Sequence, residues 1–220
     1  MGEDAGRQVT VTVDSGSLHG DLTVPGQPRG VVLFAHGSGS SRRSPRNRAV
    51  ARQLRGRGLA TMVTDLLTEA EERADAVDRH LRFDVALLAR RLEAVAVRTV
   101  AETPRLPLGL FGASTGAAAA LVAASRLRDQ VRAVVSRGGR PDLAGEALGV
   151  VTAPTLLIVG GLDDVVLGLN RRALEELRCE KRLDVVPGAT HLFEEQGALA
   201  EVSRLAGDWF TNHLGQRGCA

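Results

Sequence analysis

The stretch LPLGLFGASTGAAAAL, residues 106–121, runs from an apolar segment of strand composition directly into an alanine-rich segment of helical composition. Gly112-Ala113-Ser114-Thr115-Gly116 sits at the junction. A G-x-S-x-G in that setting describes a nucleophile elbow, a tight, strained turn that presents a serine hydroxyl at the end of a strand. A bulky residue two positions before or after the serine would clash, and glycine occupies both places. The helix that begins there directs backbone N–H groups and its positive dipole end at a developing anion. Ala117 to Ala120 are small enough to let that helix lie close on a sheet. The plainer alternative is a Gly/Ser helix start that only turns the chain, and the motif gains meaning from what surrounds it.

Outward from the junction, strand and helix patterns alternate. QVTVTVD (8–14) and SLHGDLTVP (17–25) read as an antiparallel hairpin with a Ser-Gly turn between them. GVVLFAHG (30–37) is a continuous apolar run of the type buried on both faces. A helix is expected from Ser44, which can cap it, with Pro45 in the first helical position and Val50 and Leu54 on one face. LATMVTD (59–65) is the next strand. Val77, Leu81, Val85, Leu88, Leu92 and Val95 then recur at helical spacing and predict one long amphipathic helix. After 106–112 and a helix over about 115–127, VRAVVSRGG (131–139), TLLIVGG (155–161) and KRLDVVPG (181–188) are three more strands. Helices over about 168–178 and 197–214 fill the gaps. The expectation is an α/β fold: a single domain over 1–220, with an eight-stranded, mostly parallel sheet and helices on both faces.

Ligands of such sheets bind at the carboxyl ends of strands, so those ends hold the candidate chemistry. Serine needs a base to act as a nucleophile. Of the five histidines, His191 alone follows the last strand, in PGATH (187–191). His19 lies in the hairpin, His80 and His213 lie in predicted solvated helix faces, and His36 supports the loop beside it. The base needs a carboxylate to fix its tautomer. Asp163 and Asp164 both follow the strand TLLIVGG; Asp163 is favoured, with Asp164 the alternative. One oxyanion donor is the N–H of Thr115, the residue after the serine. The other comes from the loop after Ala35, where Ser38 is the first choice and Gly37 the second, Gly37 also being a candidate to line the substrate site.

Composition narrows the classes. Apolar residues make up 44% and charged residues 25%, values of an ordinary globular protein. Twenty-eight basic against 26 acidic residues give a net charge of +2, which argues against a dedicated nucleic-acid binder. No apolar run is long enough to span a bilayer, and the acidic, polar start MGEDAGRQ does not resemble a secretory signal. Two scattered cysteines, Cys179 and Cys219, suggest a reducing compartment, so a cytoplasmic protein is expected. No dinucleotide fingerprint, P-loop or metal-ligand spacing occurs, so neither a cofactor nor a metal is expected. An oligomeric state leaves no mark in the sequence.

The order Ser114, Asp163, His191 is that of an α/β-hydrolase. With AHGSGSS (35–41), GASTGAAAAL (112–121), LLIVGGLDDVV (156–166) and VPGATHLF (186–193), the chain resembles that superfamily, and within it the small, lidless dienelactone hydrolase-like branch. The resemblance runs from about residue 8 to 214. It implies Ser114 as nucleophile, Asp163 as acid and His191 as base. Dienelactone hydrolase itself carries a cysteine nucleophile where this chain has serine, which points away from dienelactone as substrate. The connection from Ser136 to Thr155 is too short for a lid domain, so an open site and a small ester, thioester or lactone are expected. Arg137, at a strand end, is a candidate for binding an anionic group, with a plain surface arginine as the alternative. Seven arginines crowd residues 42–57, with no acid between Arg29 and Asp65. They read as a solvated helix face neutralised by the acids at 65–78. An acyltransferase using the same residues, or a non-catalytic binding protein on a hydrolase fold, are the competing functions.

Overall fold

The computed structural model describes residues 5–215, so Cys219 lies outside the described residues. Its eight strands are β1 (Ala5–Val13), β2 (Gly16–Val24), β3 (Gly30–Ala35), β4 (Leu59–Thr64), β5 (Leu108–Ala113), β6 (Val131–Arg137), β7 (Thr155–Gly160) and β8 (Lys181–Val186). They form one sheet in the order β1-β2-β4-β3-β5-β6-β7-β8. The β1/β2 and β2/β4 pairs are antiparallel and every later pair is parallel. The six α-helices are α1 (Pro45–Arg55), α2 (Glu69–Asp78), α3 (Val85–Glu102), α4 (Thr115–Arg126), α5 (Asp164–Glu176) and α6 (Ala198–Leu214).

Burial explains why β3 to β7 read as unbroken apolar runs. Each of β3, β4, β5 and β7 is buried at every position. Alternate residues serve two cores. Val31, Leu33 and Leu110 face Leu92, Ala119 and Leu121 of α3 and α4. Val32, Phe34 and Phe111 face Leu54, Val202 and Phe210 of α1 and α6. Helices on both faces are what parallel connections require.

The chain leaves β3 toward β4 on one side and returns to β5 on the other. The reversal leaves a crevice above the carboxyl ends of β3 and β5, the place where α/β sheets bind ligands. The segment between β6 and β7 carries only 3₁₀ turns at Pro141–Val150, packed on α4 and α5, so no lid interrupts the sheet there.

The predicted long amphipathic helix is two helices. Val77 is 87% exposed and belongs to no core stripe. Arg79 adopts a left-handed conformation (φ 59°) and ends α2. Buried Asp75 then binds the backbone N–H of Arg82 and its guanidinium. A 3₁₀ turn follows at Leu81–Phe83, and the Asp84 side chain caps α3 by accepting the Leu87 N–H at 2.9 Å. Two local carboxylate caps thus override the apolar periodicity. The helix expected from about 168 begins at Asp164 instead.

Candidate active site

Ser114 sits between β5 and α4 with φ 51° and ψ −122°, a backbone conformation that non-glycine residues seldom adopt. The two motif glycines make it possible. A Cβ on Gly112 would fall 2.4 Å from the Cα of Ala117, and one on Gly116 would fall 2.3 Å from the carbonyl oxygen of His36. The elbow is therefore pressed on one side against its own helix and on the other against the end of β3. The N–H of Thr115 opens α4 and has no carbonyl one turn earlier to bond.

The loop after β3 runs beside this turn. A Cβ on Gly37 would lie 2.9 Å from the Cβ of Ser114, which places Gly37-Ser38 against the serine. His36 holds the loop in place. Its Nε2 accepts the Leu66 N–H at 3.1 Å, so Nδ1 carries the proton and donates to the Gly37 carbonyl at 2.9 Å. Burial lowers the pKa of His36 and keeps it neutral. It is a structural ring, as its position at the strand end suggests. A cavity of about 440 Å³ opens on the far side of this loop, lined among others by Ser38, Ser40, Arg43, Leu67 and Arg82.

Asp163 and His191 arrive on the loops after β7 and β8. Those loops are tied to each other, Gly161 N–H donating to the Val186 carbonyl at 2.8 Å and Leu162 N–H to that of Ala189 at 2.9 Å. His191 Nδ1–H donates to Asp163 Oδ2 at 2.7 Å. That bond leaves Nε2 as the acceptor. Asp163 is mostly covered, whereas Asp164 is exposed in the first turn of α5, which separates the two aspartates. Among the described residues, no hydrogen bond joins the Ser114 hydroxyl to His191. His191 reaches across Gly138, where a Cβ would lie 3.6 Å from its Cε1.

Arg137 is not a surface arginine. It is 7% exposed. Its guanidinium carbon lies 5.8 Å from the centre of the buried Phe193 ring. His213, expected to be solvated, is packed. Its ring lies 4.4 Å from that of Trp209 and Nδ1 pairs with the Trp209 carbonyl at 2.8 Å. Part of the arginine run is neutralised from outside residues 65–78. Arg42 pairs with Asp65 and Asp21, Arg46 with Glu194 and Arg57 with Asp208, while Glu71, Asp75 and Asp78 serve Arg91, Arg82 and His80. Of the acids at 65–78, Asp65 forms an ion pair with the run, through Arg42. The Arg46–Glu194 pair was not legible, because its partners are separated by 148 positions. It joins the start of α1 to the loop that carries His191.

Known proteins agree with this architecture. The chain is 53% identical to a crystal structure of a dienelactone hydrolase from Anabaena variabilis, covering 96% of this chain and 99% of that one with a TM-score of 0.94. A lidless α/β serine hydrolase from Xanthomonas campestris shares the fold at 20% identity, with 96% of each chain covered and a TM-score of 0.76. Two curated Mycobacterium tuberculosis proteins, provisionally named phosphoribosyl transferases, are 59% identical over 209 residues. Those residues are 94% of this chain and 46% of each relative, so the chain spans about half the length of the curated relatives it matches. The sequence profile of the dienelactone hydrolase family matches residues 18–209, and with the sheet order and the near-superposable relative this places the chain in that family.

Proposed function

We propose that the chain is a serine hydrolase that cleaves a small carboxylic ester, thioester or lactone. The observation that carries this reading is the 2.7 Å bond from His191 to Asp163, made on two joined loops beside the strained serine turn. Ser114 Oγ attacks the carbonyl carbon while His191 Nε2 takes its proton. Asp163 holds the ring in the tautomer that can accept and stabilises the imidazolium. The tetrahedral oxyanion lies between the N–H groups of Thr115 and Ser38, with Gly37 bringing that loop close. His191 then returns its proton to the leaving oxygen or sulfur, and water enters by the same route in reverse. The His191–Ser114 contact closes when substrate is bound, a tightening common in such sites. The short connection between β6 and β7, which carries no lid, favours short acyl groups. The Mycobacterium relatives run to about twice the matched length, so their transferase name describes chains of which this one matches about half.

A fluorophosphonate probe tests the reading. It should label the wild-type protein on Ser114 and leave a Ser114→Ala variant unlabelled, with ester hydrolysis lost in parallel. Labelling of that variant at the wild-type rate would place the nucleophile elsewhere.

A further inference from the structure

We infer that Arg137 and Arg46, at the start of α1, form a cradle for a compact anion carried by the substrate, a carboxylate or a phosphate. Arg137 ends β6, the strand beside the elbow, and its carbonyl accepts the Ser114 N–H at 3.2 Å. Its side chain is buried on the α1 side of the sheet, with Phe193 beneath it. Among the described residues no carboxylate pairs with it: its Nε and Nη1 are buried without a hydrogen-bond partner, and so is the Nε of Arg46. Arg46 keeps Glu194 on Nη1 at 2.9 Å, so the pair of guanidinium groups retains an excess of positive charge.

A buried, uncompensated charge is among the costlier things a fold can contain. Burial, and then the neighbouring Arg46, hold the pKa of Arg137 down to about 10, still charged at neutral pH. The first turn of α1 contains no acidic residue and offers its positive dipole end. The unpaired Arg137 guanidinium, the partly paired Arg46 and a helix start thus lie together with a single carboxylate, Glu194, against two positive charges. A carboxylate or phosphate satisfies such donors with charge-assisted, bidentate bonds. Arg137 pairs with Ala113, the residue before Ser114, across β5 and β6, which puts the cradle one strand from the nucleophile. That spacing suits a charge two or three bonds beyond the scissile carbonyl, as in a succinyl ester.

The inference rests on Ser114 being the nucleophile, and the test keeps the two apart. The kcat/KM ratio of mono-p-nitrophenyl succinate to p-nitrophenyl butyrate should exceed ten in the wild type. It should fall by roughly 10- to 100-fold in Arg137→Gln, the loss expected for one or two charge-assisted bonds, and recover partly in Arg137→Lys. Arg46→Gln should lower the same ratio. In parallel, succinate and inorganic phosphate are titrated into Ser114→Ala protein by calorimetry and thermal shift. Either anion should bind, the tighter one naming the head group, and should raise Tm; both effects should vanish in Arg137→Met, whose circular dichroism shows that it folds. Each anion should inhibit hydrolysis of the succinyl ester competitively. Fluorophosphonate labelling of Ser114 with no substrate charge preference and no anion binding would overturn the cradle alone. Anion binding with no labelling would overturn the hydrolase reading alone. Activation of butyrate hydrolysis by phosphate without competition would make the site an effector site and overturn its assignment to the substrate.

Discussion

A single atom shows how little freedom the elbow has. Gly116→Ala would drive a Cβ into the His36 carbonyl at 2.3 Å, against backbone that cannot rotate away. The variant should lose at least about 2 kcal/mol of stability in urea unfolding, the scale of a forced overpacking. The neighbouring aspartates separate as sharply. Asp163→Asn leaves the geometry but spoils the His191 tautomer, and should lower kcat by roughly 10⁴-fold. Asp164→Asn touches an exposed side chain that makes no bond to His191, so its kcat should stay within about threefold of wild type. The opposite ranking, measured on one ester at saturation, would move the acid by one position.

Among the secondary elements, the α2–α3 corner is where local chemistry defeated periodicity. Asp84→Ala removes the α3 cap and should cost about 1 kcal/mol by chemical denaturation, whereas Val77→Ser, on an exposed position, should change stability by less than about 0.5 kcal/mol. An uninterrupted helix would give the reverse, with Val77 the costly site. The sequence did hold a sign of the break, since Asp84 precedes the periodic residues of α3 as a cap should. Val77 and Leu81 matched the spacing only because two separate segments fell in phase. The fold itself was readable from continuous apolar strands such as GVVLF and TLLIVG, which only a sheet covered on both sides tolerates. The placement of Ser114, Asp163 and His191 at the carboxyl ends of the sheet was readable because each follows such a strand. Pairings that cross the fold, such as Arg46 with Glu194, follow from packing and have no local signature.

At the level of the whole molecule, pH acts through His36. Its folded-state pKa lies below its ordinary value of 6.5. Between those two values the unfolded chain binds a proton that the folded protein refuses, so stability falls as pH drops below about 6.5. The slope approaches about 1.4 kcal/mol per pH unit for one proton. His36→Gln, which keeps an acceptor for the Leu66 N–H, should flatten the wild-type decline between pH 7 and 5; identical slopes would assign the acid sensitivity to other groups. Across the same molecule, the lack of a covering domain between β6 and β7 leaves few remote contacts for a long acyl chain, and remote contacts are what drive rate. Esters of roughly two to four carbons should therefore show the highest kcat/KM among neutral substrates. A steady climb beyond about eight carbons would argue for a buried acyl channel instead.

The two hydrogen bonds that tie the loop after β7 to the loop after β8 have a dynamic consequence. Asp163 and His191 ride on one lever, while Ser114 is fixed to β5 and α4. Under the proposed mechanism, rocking of that lever over the elbow would set the proton-transfer distance while Asp163 and His191 move together. Deuterium exchange would record this as unusually slow amides at Gly161 and Leu162, exchanging in step although both lie outside regular secondary structure.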